Sequence, residues 1–318
     1  MFRPTRMSGR NSREDCQIWR EPATRSVTVS ARELAILAGV APAHSRGAKH
    51  QLIFGVSADD GPSSMAQRYA RLLCSFQEPL QRELGEKTVF HLRLFKRFNR
   101  NQDTLVRGEA DLLVLSAVDF LRAAQAESGV RAVARATSTR EGVIFTRTNF
   151  GLRQLADVRG HSLILPDPDL SLTVWAKARL VEAGLSGRDF RLVTNILDQG
   201  AEVGSTVISV SETMEHVLRG EWEVGVSPRG QFERYRHLGL VELARFADTP
   251  NVLAARAGLD ARLVAALGKA LRSRAQTEAW PEQKFVAEPF EREVEGSSLE
   301  ALRRAMEVAA RFGSSRGP

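Results

Sequence analysis

The segment Asp167-Pro168-Asp169-Leu170-Ser171-Leu172-Thr173 puts two carboxylates and two hydroxyls within seven residues. It follows an apolar run, Ser162 to Leu165, and precedes a pattern that predicts a helix from about Ser171 to Ala183, stopped by Gly184. A strand-to-helix step of this kind leaves unpaired N–H groups and the positive end of the helix dipole facing outward, which favours an anion. The carboxylates of Asp167 and Asp169 work against that, because their charge repels an anion at the same helix start. A neutral, amphoteric or cationic ligand suits the segment better. Ser171 and Thr173 either donate to such a ligand or cap the helix.

Three further serines stand where a ligand would meet a parallel sheet. Ser57, Ser116 and Ser227 each follow a buried apolar strand, at the carboxyl end that binds ligands in open α/β sheets. Ser63 adds a hydroxyl at the first turn of the long helix that runs to Leu84. Phe98 and Phe120 either line a cleft or fill a core. Arg147 either pairs with a ligand carboxylate or phosphate, or forms a salt bridge between lobes. Catalysis has little support: no G-x-S-x-G elbow, Walker loop or G-x-G-x-x-G sits in a strand-turn-helix setting. The six His are scattered singly and the two Cys, Cys16 and Cys74, make no disulfide framework, so neither a metal site nor a cofactor is expected.

The elements that must position these residues alternate. Leu105 to Phe120, LVRGEADLLVLSAVDF, reads as a helix ending at Gly108, a short strand Leu112 to Leu115, and a new helix opened by Ser116. Strands at 51–57, 88–95 and 131–136 belong to the same lobe. A second lobe takes the strands at 142–148, 162–165, 190–195 and 222–226, with a helix near 211–218. The chain returns through Leu240 to Phe246, and helices over 260–273 and 298–312 are placed on the first lobe. The expected class is therefore α/β with two lobes, each a mostly parallel sheet flanked by helices, joined by two crossing strands that imply a hinge. The expected boundaries are a leader over 1–50, lobe 1 over 51–140 plus 240–318, and lobe 2 over 141–239.

This layout resembles the type 2 periplasmic binding protein fold, and within it the phosphate/phosphonate-binding (PhnD-like) substrate-binding family of ABC transporters. The resemblance is carried by LIFGVS, the helix ending in EPLQRELG, the spacing RFNRNQDTLVRGEADLLVLSAVDF, the crossing segment VIFTRTNFGLRQLADVRGHSLIL, and LAARAGLDARLVAALGKAL. It implies an oxyanion head group held at a helix start of the pattern D-P-x-S-T-S-G and flanked by tyrosines. This chain departs from that pattern: Leu170 and Leu172 stand where the family has hydroxyls, Thr173 replaces the glycine, and Phe98 and Phe120 take the tyrosine positions. The family's G-x-H-D element has no clear counterpart between Asn195 and Val210.

The resemblance implies an extracytoplasmic solute-binding protein that closes by a hinge over a small, phosphonate- or phosphate-like ligand in the interlobe cleft. Its partner is a membrane permease, its state monomeric, and it is not an enzyme. The alternative is a cytoplasmic ligand-sensing regulator using the same lobes.

Charge does not point to nucleic acid. The net charge of +7 is concentrated in residues 1–50, with nine Lys/Arg against four Asp/Glu, and 36 against 34 in the rest. No window approaches the ~18 uncharged apolar residues that cross a bilayer. Within the leader, TVSARELAILAGVAPAHSR has three readings. It is an export signal with the apolar run Leu34 to Val40 and a cleavage site at Ala41-Pro42-Ala43, the first helix and turn of a DNA-binding motif, or a packed surface helix.

Overall fold

The computed structural model describes residues 26–39, 48–57, 62–95, 102–126, 129–136, 140–194, 209–275, 285–286 and 298–313. Chain contacts divide it into two units.

Unit 1 comprises residues 1–114, 127–134 and 253–287. Its seven-stranded sheet has the order β1-β3-β2-β4-β11-β5-β12. The strands are β1 (Ser26–Val29), β2 (His50–Ser57), β3 (Thr88–Phe95), β4 (Leu112–Leu115), β5 (Arg131–Ala136), β11 (Val252–Ala255) and β12 (Phe285–Val286). β2 pairs in parallel with β3 and β4, as a run of buried apolar residues predicts. Helices α1 (Ala31–Ala38), α2 (Pro62–Leu84) and α8 (Ala261–Ala275) pack around it, and α3 (Gln102–Val106) leads into β4. Asp111 fastens the step before β4: its carboxylate accepts from the Ile53 N–H at 2.8 Å and from Arg256 Nε at 2.7 Å. The core between α2, α8 and the sheet leaves an apolar void of about 20 Å³, lined by Phe54, Phe76, Phe90 and neighbouring leucines. That is room for about one water, and with no polar lining it offers a solute nothing to bond.

Unit 2 comprises residues 115–126, 135–252 and 288–318. Its five-stranded sheet has the order β10-β6-β9-β7-β8. The strands are β6 (Arg140–Arg147), β7 (Ser162–Ile164), β8 (Leu192–Thr194), β9 (Val224–Pro228) and β10 (Leu240–Asp248). β7 runs parallel to β8 and β9, whereas β6 and β10 add antiparallel pairings on the other side. Helices α4 (Ala117–Gln125), α5 (Ser171–Glu182), α6 (Val210–Arg219), α7 (Arg229–Tyr235) and α9 (Ser298–Gly313) complete it. α5 lies close on the sheet because Gly142 of β6 has no side chain. A Cβ there would meet the Phe246 ring at 2.2 Å and Leu172 Cδ1 at 2.7 Å.

Three segments lie elsewhere than the sequence led us to expect. β1 pairs antiparallel with β3, and α1 buries Ala31, Leu34 and Ala35, so residues 26–38 belong to the body of unit 1. Of the apolar run read as an export signal, Leu34 and Ala35 are buried whereas Ile36 and Leu37 are exposed, and the helix is closed by a capping box at Ser30 and Glu33 and by Gly39 at φ 69°. Residues 40–47, where a cleavage site or recognition helix was considered, lie outside the described residues. α9 belongs to unit 2, since Phe312 packs on Phe190 with ring centroids 5.9 Å apart and α9 covers α5. β10 belongs to unit 2 because its backbone bonds go to β6.

Candidate functional site

The start of α4 and the loop before α5 meet within unit 2. Ser116 is the N-cap of α4: its Oγ accepts from the Asp119 N–H at 3.0 Å and donates to the Asp169 carbonyl at 3.0 Å. Arg122, one turn further on, forms an ion pair with the Asp169 carboxylate and stands 4.0 Å from Asp119 Oδ1. The Asp169 N–H donates to Asp167 Oδ1 at 2.8 Å, so the loop folds its two acidic residues together.

Asp119 is the unusual member. Only 5% of the residue is exposed, and its Oδ1 has no hydrogen-bond partner. Burial pushes its carboxyl up to about 7, and the negative charges of Asp169 and Asp167 add to the rise. Ser116 and Arg122 pull the other way without cancelling it.

The hydroxyls of α5 are committed inside the protein. Leu170, not Ser171, is the N-cap of α5, and it supplies no side-chain cap. Ser171 Oγ is 2.6 Å from Asp248 Oδ1 and 2.9 Å from the Thr249 carbonyl, both acceptors for its one proton. Trp175 Nε1 donates to Thr249 Oγ1 at 3.0 Å, so the start of α5 is fastened to the segment that leaves β10 for β11. Thr173, fully buried, donates to the Pro166 carbonyl at 3.3 Å.

Of the residues singled out from the sequence, Ser116, Asp167, Ser171 and Thr173 are thus gathered around the α4 and α5 starts. Phe120 is buried in the first turn of α4. Ser227 is fully buried at the carboxyl end of β9, where its Oγ is 3.2 Å from the Pro228 carbonyl. Ser57 ends β2 in register with Phe95, and Ser63 is exposed in the first turn of α2. Phe98 lies outside the described residues. Arg147 stands at the other end of the unit 2 sheet: it pairs with Leu240, and its guanidinium lies beside Gly220 at the end of α6. The antiparallel course of β6 against β9 causes this, since the carboxyl end of one strand is the amino end of the other.

Asp119, Arg122, Asp248, Thr249 and Trp175 escaped the sequence reading. Asp119 was legible only as the third residue after a helix-capping serine, where a carboxylate ordinarily faces water. Asp248 and Thr249 lie about 80 residues from Ser171, a distance no local pattern spans.

Two α/β units, each built on its own sheet, with a polar constellation where a strand ends and a helix begins, fit the class of substrate-binding proteins of the type 2 periplasmic fold. A family model described as "ABC transporter, phosphonate, periplasmic substrate-binding protein" matches residues 54–296. The chain belongs to this phosphonate-binding periplasmic substrate-binding family. No curated protein matches the sequence. Among solved structures, the chain is similar to XAC2383 of Xanthomonas citri, determined with bound ATP, at 16% identity and a TM-score of 0.63, covering 84% of this chain and 100% of that one. PhnD1 of Prochlorococcus marinus, in complex with methylphosphonate, is 13% identical with a TM-score of 0.58, covering 82% and 97%. A binding protein component of an ABC phosphonate transporter from Pseudomonas aeruginosa is 11% identical with a TM-score of 0.54, covering 82% and 97%. These likenesses support the expected two-lobed α/β architecture. No helix among the described residues is long and apolar enough to cross a membrane.

Proposed function

We propose that this protein is the extracytoplasmic solute-binding component of an ABC-type importer, which takes up a small solute by hinge closure and passes it to a membrane permease. Membership of the phosphonate-binding family over residues 54–296 is the observation that carries this reading. The hinge is placed where the chain passes between the two units, as at residues 134–135 and 252–253. The solute contacts unit 2 at the α4 and α5 starts, through the surroundings of Ser116, Asp119, Asp167 and Asp169. The other hydroxyls singled out from the sequence, Ser57, Ser63 and Ser227, and the rings of Phe98 and Phe120, complete the candidate set. Ser171 and Thr173 hold the geometry of the α5 start. Arg147 takes no part, because it stands at the opposite sheet end.

Binding drives closure only as far as the solute prefers the closed state. The family's solute class and the ligands of the similar structures set the first probes: inorganic phosphate, phosphite, methylphosphonate and ATP, with small organic acids. Isothermal titration calorimetry and thermal unfolding are the measurements. At least one of these small solutes binds and raises Tm; if every solute leaves heat and Tm unchanged, the transport reading falls. A reporter fused to the full chain separates the importer from a cytoplasmic sensor, since the importer's reporter is recovered outside the cytoplasm.

A further inference from the structure

The chain leashes α4 to unit 1, whereas its contacts belong to unit 2. Its neighbours along the chain are β4 and β5, both strands of the unit 1 sheet, with the one residue Ser116 between β4 and the helix and β5 beginning at Arg131. By contacts, residues 115–126 fall in unit 2, between the stretches 1–114 and 127–134 of unit 1. A leash of one residue gives at most about 3.6 Å of chain, so the start of α4 must follow the unit 1 sheet whenever the units move about the hinge.

The polar contacts that hold the start of α4 in unit 2 centre on Asp169. Ser116 Oγ donates to the Asp169 carbonyl at 3.0 Å, and Arg122 forms an ion pair with the Asp169 carboxylate, whose side chain is only 17% exposed and so is screened little by water. Arg122 also stands 4.0 Å from Asp119 Oδ1, so its charge is shared between its own helix and the loop. Asp169 is set in place by its own N–H, which donates to Asp167 Oδ1 at 2.8 Å. α4 also packs on α9 and buries Val118, Phe120 and Leu121. Apolar burial is non-directional and survives small slides, whereas a hydrogen bond is lost within about 1 Å of displacement.

We infer that Asp169 is a releasable clasp on α4: engaged, it holds the helix in unit 2, and released, it lets the helix leave with unit 1 as the hinge opens. This rests on the hinge-closure reading above and adds the residues that set the open-to-closed population of that hinge. Arg122 is then a positioning residue, acting on the solute through the state of the hinge.

The test needs no solute. In the full chain, Arg122→Ala and Asp169→Ala are each expected to speed amide hydrogen exchange over residues 117–125 by roughly fivefold, the loss of one partly shielded ion pair, with exchange in β6 and β9 unchanged. The double variant is expected to add less than about a twofold further increase, because both changes break one contact. Small-angle X-ray scattering is expected to give a larger radius of gyration for all three variants, which fraying of α4 alone would not produce. Unchanged exchange in α4, exchange raised equally across unit 2, additive effects in the double variant, or an unchanged radius of gyration overturns the clasp. The expected results alongside silent calorimetry with every solute remove the solute-binding reading and leave a clasped hinge; solute binding without them removes the clasp alone.

Discussion

At the scale of single residues, the hydroxyls at the start of α5 are spent on the fold. Ser171 has the residue type of an anion ligand and the bonds of a structural one, joining α5 to Asp248 and Thr249. Ser171→Ala is therefore expected to cost about 1 to 2 kcal/mol of stability in urea unfolding, because buried acceptors lose their donor. A solute Kd changed by tenfold with stability untouched would instead make the hydroxyl a ligand group. Asp119 gives a pH dependence whose sign is fixed. Its folded carboxyl titrates at about 7 against an ordinary value of 3.8, so between those pH values the folded state holds a proton that the unfolded state has lost. Stability from this group is therefore greatest at the acid end and declines as pH rises towards 7. Asp119→Asn removes that slope and should raise stability at pH 8 by roughly 4 kcal/mol, against roughly 1 kcal/mol at pH 4.5. Chemical denaturation at the two pH values measures it, and equal gains at both would contradict the assignment. The sequence shows Asp119 as a cap-box residue; only the packing of α4 against the 167–169 loop makes it a buried acid.

Elements decide how those residues are held. The alternation of short apolar runs with helical patterns was readable because parallel strands covered on both faces lose their polar alternation: β2, β4 and β7 all fall where the runs stand. The placement of α9 was not readable, since an amphipathic pattern states that a face is buried and not against what. Phe312 packs on Phe190, so Phe312→Ala is expected to destabilise unit 2 by about 3 kcal/mol, as large aromatic truncations do. Leu34→Ala probes α1 in the same way: Leu34 is fully buried, and a loss of about 2 to 4 kcal/mol is expected if α1 is part of the folded body in solution. A loss under 0.5 kcal/mol would show that the helix is dispensable to the fold. Gly142→Ala tests the close approach of α5 and β10, because its Cβ must displace the Phe246 ring and Leu172 together; a lowered Tm is expected.

For the whole molecule, ligand binding and folding share one free-energy scale. A solute at about 100 times its Kd adds about 2.7 kcal/mol to the stability of the state that binds it, which appears as a raised Tm. The rise should saturate with concentration and follow the affinity order found by calorimetry. A rise that continues linearly to high concentration marks a general salt effect. Ser171 and Trp175 fasten α5 to Asp248 and Thr249 at the end of β10, so variants there are expected to lower the stability of unit 2.

What the sequence by itself determined is two sheets, most of their strands and helices but not β1, β11, β12 or α7, and the polar segment where one strand gives way to a helix. Those follow from local periodicity and from glycine and capping residues, each acting within a few positions. What the tertiary structure alone decided is the company each residue keeps: Asp119 beside Asp167 and Asp169, Ser171 against Asp248, α1 in the body, and Arg147 at the far end of its sheet. Burial and hydrogen bonding depend on segments up to about 80 residues apart, so which polar groups are spent on the fold was set by folding rather than by the residues next to them in the chain.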